Sequence, residues 1–75
     1  MTLLIADFLI AGKRATVEVY SDHYYRAGTN EGPFKYGRCR THDSAVKRAQ
    51  QVAVEFHTKA RATQTGVGPL RMARV

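Results

Sequence analysis

The chain has 75 residues, and its twelve Lys and Arg outnumber six Asp and Glu to give a formal net charge of +6. That length holds one domain with a single small core and leaves no room for a separate catalytic lobe or a deep substrate cleft. The excess of positive charge favours an anionic partner, whether nucleic acid, an acidic protein face or an anionic membrane.

Cys39 is the one cysteine, so an internal disulfide is excluded and a reducing cytoplasm is the expected compartment. The apolar run from Leu3 to Ala11 follows the initiator Met. Asp7 interrupts it, no basic residue precedes it, and it is far too short to cross a bilayer, so we expect a soluble cytoplasmic protein with no membrane partner.

The chain opens as a β-hairpin. Residues 3–11 are rich in strand formers, Gly12-Lys13 suits a two-residue turn with Gly first, and residues 14–25 resume the strand pattern. Setting Ala11 opposite Arg14 places Phe8 across from Val17, Ala6 from Val19, Ile10 from Ala15 and Leu4 from Ser21, which makes one apolar face. The other face then holds Leu3, Ile5, Leu9 and Tyr20, with Asp7 and Glu18 directly across from each other. We expect those carboxylates to be a solvated spot relieved by Lys13 or Arg14, because no third ligand or nucleophile accompanies them. One helix covers one side of a sheet, so Leu3, Ile5 and Leu9 are left for the C-terminal tail or for a second protein surface. They are the candidate oligomer face, in a monomer or a homodimer.

Residues 27–33, AGTNEGP, read as a loop. A third strand follows over residues 34–40, where a bulge at Gly37 would put Phe34, Tyr36 and Cys39 near the core. Residues 41–62 carry the strongest periodic signal. Ala45, Ala49, Val52, Ala53, Phe56 and Ala60 recur at spacings of three and four and form the apolar stripe of an amphipathic helix. Thr41 suits its N-cap, Asp43 the positive end of its dipole, Lys59 and Arg61 the negative end, and Glu55 and Lys59 make an i,i+4 pair. Gly66, Gly68 and Pro69 then open a segment over residues 66–75 that is either a tail or a short fourth strand. The expected fold is α+β: a three- to four-stranded antiparallel sheet packed on one face by a single helix.

No catalytic constellation emerges from this layout. Cys39 and His42 form a C-x-x-H element without the second ligand pair that zinc requires, and their spacing across a strand end suits no Cys-His nucleophile. There is no Gly-rich phosphate loop, H-E-x-x-H or nucleophile elbow, so neither enzyme activity nor a cofactor nor a metal is expected. The better signal is for binding. Lys35, Arg38 and Arg40 run into Lys47 and Arg48, with His23, Tyr24 and Tyr25 on the neighbouring strand, and cations with interleaved aromatics suit phosphates and bases. The candidate partner-binding residues are Tyr24, Tyr25, Lys35, Arg38, Arg40, Lys47 and Arg48. The competing reading has the aromatics half in the core and the cations serving solubility. Gln50, Gln51, Glu55 and Thr58 dilute the charge on the helix's polar face, unlike a membrane-surface helix.

A small antiparallel sheet running into a helix that opens T-x-D-S-A-V-x-x-A, at Thr41 to Ala49, resembles several small bacterial and phage proteins over roughly residues 3–61. Among them are the partial double-stranded-RNA-binding-like sheets of HicB-type antitoxins and some phage anti-CRISPR proteins. The junction here is basic, with Arg38 and Arg40, and lacks the Pro-Asp-Leu-Pro-Gly-like turn of the antitoxins. The resemblance therefore implies a phage-type inhibitor that occupies a host ribonucleoprotein complex, a Cascade-type CRISPR effector, and keeps it from target DNA without chemistry. A nucleic-acid-binding module of a small regulatory protein is the alternative expectation.

Overall fold

The computed structural model describes residues 2–73. Strands β1 (Thr2–Ile10), β2 (Lys13–Tyr20), β3 (Tyr24–Thr29) and β4 (Gly32–Arg38) precede helix α1 (His42–Thr63), and a two-residue strand β5 (Arg71–Met72) follows it. All neighbours are antiparallel, in the order β4-β3-β2-β1-β5. The helix lies on one face of this sheet, which is the α+β arrangement expected. The sheet has one strand more ahead of the helix than expected, because residues 14–25 are two strands.

The division falls at Ser21 to His23. His23 takes φ 64° and its amide donates to the Tyr20 carbonyl oxygen at 3.1 Å, while the Tyr24 amide donates to the Asp22 carboxylate at 3.3 Å. A short polar side chain and a His in the left-handed region thus close a three-residue turn without any glycine. Further on, Thr29 pairs with Gly32, so most of the expected 27–33 loop belongs to β3 and β4 and the turn itself is Asn30-Glu31. Phe34 is the extra residue of a bulge opposite Ala27 and Gly28.

The first hairpin also turns one residue early. Ala11 and Gly12 occupy the turn at φ 50° and 83°, and Ile10 pairs with Lys13. Phe8 consequently faces Ala15, Ala6 faces Val17 and Asp7 faces Thr16. Past a bulge at Ile5, Leu4 faces Glu18 and Leu3 faces Val19. Asp7 and Glu18 are therefore not opposite each other. The bulge buries both Ile5 and Ala6 completely and turns Leu3 to the helix side, so Leu3, Ile5 and Leu9 do not form one face. Of the three, only Leu9 is exposed.

The core lies between α1 and the inward residues of β1 to β3: Ile5, Ala6, Phe8, Ala15, Val17, Val19, Tyr25 and Ala27. Its helix side is the expected stripe, Ala45, Ala49, Val52, Ala53, Phe56 and Ala60, all buried. Four alanines let the helix sit close to the sheet, while Phe56 fills the wider gap. Its ring meets Phe8 edge-on with centroids 4.9 Å apart and stacks on Phe34 at 4.7 Å. Thr41 caps the helix, its hydroxyl accepting from the Ser44 amide at 3.1 Å. Glu55 is drawn across to Lys35, 3.9 Å away, in place of the expected helical partner Lys59.

The segment after the helix runs back along the free edge of β1. The Ala11 amide donates to the Gly66 carbonyl, the Gly68 amide to Leu9, and the Ala73 amide to Ile5. The His57 ring, packed edge-on against Phe8 at 4.9 Å, places Nε2 2.9 Å from the Gly68 carbonyl oxygen and donates to it. The short strand left open by the sequence is thus real within residues 71–72, and residues 74–75 of the expected tail lie outside the described residues.

Candidate functional site

Side chains alternate across a strand, so the residues facing away from α1 follow from the register. They are Leu4, Asp7 and Leu9 on β1, Arg14, Thr16, Glu18 and Tyr20 on β2, Tyr24 and Arg26 on β3, Tyr36 and Arg38 on β4, and Arg71 on β5. Among the described residues no element covers this face. At one end, Tyr24 pairs with Arg38 and Arg26 with Tyr36 across the strands. Tyr20, Tyr24 and Tyr36 form a continuous row, with ring centroids 5.6 Å apart for Tyr20 and Tyr24 and 6.1 Å for Tyr24 and Tyr36. Tyr36, expected near the core, is 62 % exposed. With Phe34 taking the extra position of the bulge, Tyr36 falls in phase with the outer face.

The arginines beside the row are held in place. Arg38 Nη2 donates to the Asp22 carboxylate at 3.0 Å. Arg26 lies across from Glu18 and donates to the Thr29 carbonyl oxygen at 3.1 Å. At the opposite end, Asp7 is nearly buried and accepts from both Arg14 and Arg71.

The seven residues singled out from the sequence do not form one patch. Tyr24 and Arg38 are together on the open face. Tyr25 points the other way into the core, across Gly37, where a Cβ would approach the tyrosine hydroxyl to 2.9 Å. The neighbouring Tyr25 hydroxyl favours the charged Arg48 guanidinium and raises its pKa above the ordinary value. Lys35 and Lys47 are on the helix side, and Arg40 is exposed in the link between β4 and α1. A strand of alternating Tyr-Tyr cannot place both rings on one surface, which is why Tyr24 and Tyr25 part. The sequence reasoning missed Tyr20, Arg26 and Tyr36 as site members. Period-2 spacing of Tyr24, Arg26 and of Tyr36, Arg38 was the available signal, and it needed the Ser21–His23 turn to be put in phase.

Charge is divided between the faces. Among the described residues, Lys13 pairs with Glu31, Arg14 and Arg71 with Asp7, and Arg38 with Asp22. On the helix side Lys35 pairs with Glu55, while Arg40, Lys47, Arg48, Lys59 and Arg61 take part in no ion pair among the described residues. The open face thus offers stacking groups and ordered arginines, and the helix side supplies most of the uncompensated positive field.

Among the described residues no group of three or more His, Cys, Asp and Glu is placed to hold a metal ion, and no helix is long and apolar enough to cross a membrane. Comparison of the chain with family models, with curated proteins and with solved structures returns no match.

Proposed function

We propose that the protein is a non-enzymatic binding module that takes single-stranded nucleic acid on the open face of its sheet. The observation that supports this is the Tyr20, Tyr24 and Tyr36 row, bordered by Arg26 and Arg38, on a face that no described element covers. Exposed aromatic rings on a sheet accept unpaired bases by stacking, and guanidinium groups beside them reach the intervening phosphates or stack in turn. A duplex hides the faces of its bases, so the same surface discriminates against it. The net charge of +6 adds a long-range attraction for any polyanion and is indifferent to strandedness.

Fluorescence anisotropy with labelled single-stranded and duplex oligonucleotides tests the reading. The single strand is expected to bind more tightly, and Tyr36→Ala to weaken it by about 1 to 3 kcal/mol, roughly 5- to 150-fold, as for the loss of one stacked base. Equal affinity for duplex, or an unaffected Tyr36→Ala variant, would refute the stacking surface. If no nucleic acid binds, the face belongs to a protein partner. The occupancy-type inhibitor of a CRISPR effector, which the resemblance implies, would then be taken up by pull-down.

A further inference from the structure

The opposite end of the open face holds an arrangement that the tyrosine row does not use. Asp7 is 8 % exposed and receives two guanidinium groups. Arg14 donates to Oδ2 through Nε at 3.2 Å and Nη2 at 3.0 Å. Arg71 donates through Nε to Oδ1 at 3.3 Å and through Nη2 to Oδ2 at 3.5 Å. The two arginine side chains remain 60 % and 73 % exposed while the carboxylate keeps only 11 %.

Ion pairs with partners this exposed stabilise a fold little, and joining β5 to β1 requires one arginine rather than two. Two guanidinium groups against one carboxylate leave a net positive charge. Each guanidinium has five N–H donors and spends two on Asp7, which leaves three on each without a partner among the described residues. Arginine ordinarily loses much rotamer freedom when it grips an anion, and here Asp7 has already fixed both side chains. The forks match the oxygens of a phosphate, which they can take bidentately.

We infer that Arg14 and Arg71, held by Asp7, form a phosphodiester-binding subsite for the nucleic-acid strand whose bases stack on the tyrosine row. The inference rests on the proposed function, and it adds where the backbone runs. β5 and β3 are three strands apart, about 14 Å across the sheet. The strand therefore crosses the face obliquely, from Tyr36 and Arg38 at the β4 edge to Arg14 and Arg71 beside β1.

The test is a salt titration of a labelled short oligothymidylate against the intact protein and its variants. For single strands the slope of log K on log salt changes by about 0.7 for each phosphate contact. Arg14→Gln and Arg71→Gln are each expected to flatten the slope by about that amount, with affinities converging on the parent's at high salt. Arg71→Lys should restore the slope but not the full affinity, because it keeps the charge and loses the fork. Tyr36→Ala should weaken binding at unchanged slope. Arg71→Gln could loosen β5, so thermal melts accompany the series, and Arg14→Gln, inside the sheet on β2, decides if they differ. Parental slopes in both glutamine variants, with Tyr36→Ala still weakened, would overturn the subsite and leave the proposed function standing. No binding by the parent protein would overturn both.

Discussion

Ala11 takes φ 50° beside Gly12 at 83°, the pair of positive values a type I′ hairpin turn requires. Glycine meets that requirement freely, but a methyl side chain in the left-handed region costs about 1 kcal/mol. Asparagine is better tolerated there, because its short amide bonds to the local backbone, and Asn-Gly is the preferred type I′ pair. Ala11→Asn is therefore expected to raise stability by about 0.5 to 1 kcal/mol, read as a higher urea midpoint at unchanged m-value. A lower midpoint would mean that the turn is held by the Ala11 amide bond to Gly66 rather than by its own geometry. The same residue explains why the register was only partly legible. With Gly12 read as the first turn position, every pair shifted by two, which preserves the face of each side chain while changing its neighbour. That register puts Phe8, Ala6, Val17 and Val19 on the core face, where they are buried, but sets Asp7 opposite Glu18 instead of Thr16. The bulge at Ile5 then shifts the phase by one, so Leu3 and Leu4 exchange faces. No glycine or proline marks it, and its cause is burial of two consecutive side chains rather than local propensity.

Helix α1 could be read almost to the residue because its six inward positions obey one period over its whole length and its cap is a threonine. Strands β3 and β4 were harder. Glycines at 28 and 32, which suggest a loop, sit in paired strands, while the turn at Ser21 to His23 carries neither glycine nor proline. The segment after α1 illustrates a third case, in which tertiary contacts alone decide. Its backbone bonds to the β1 edge, but the side chain that fixes it from the core side is His57, which donates to the Gly68 carbonyl and packs on Phe8. His57→Phe keeps an aromatic edge against Phe8 and removes the donor, at a net cost of about 1 kcal/mol. Amide exchange at Gly68 and Ala73 should accelerate about fivefold, while amides in the middle of α1 keep their protection. Equal acceleration throughout would show that the segment opens only with the whole domain.

Over the whole molecule, the sequence gives the net charge without its distribution, and the distribution bears on binding. On the open face Asp7 and Asp22 offset part of the charge of Arg14, Arg71 and Arg38, whereas Lys47 and Arg61 project from the outer side of α1 without an acidic partner among the described residues. A run of basic residues along the chain therefore looked like one patch but wraps around two faces. A strand lying on the open face has the thickness of the sheet and helix between it and Lys47 or Arg61. That separation exceeds the Debye length of about 10 Å at 0.1 M salt, so these cations steer the strand's approach at low salt and contribute little once it is bound. The double variant Lys47→Glu, Arg61→Glu is accordingly expected to slow association several-fold at low salt, with the difference vanishing as salt rises, and to leave the dissociation rate unchanged. Stopped-flow anisotropy at several salt concentrations separates the two rates. If dissociation accelerates as much as association slows, the strand touches the helix, and the binding surface extends around the β4 edge instead of ending at Tyr36.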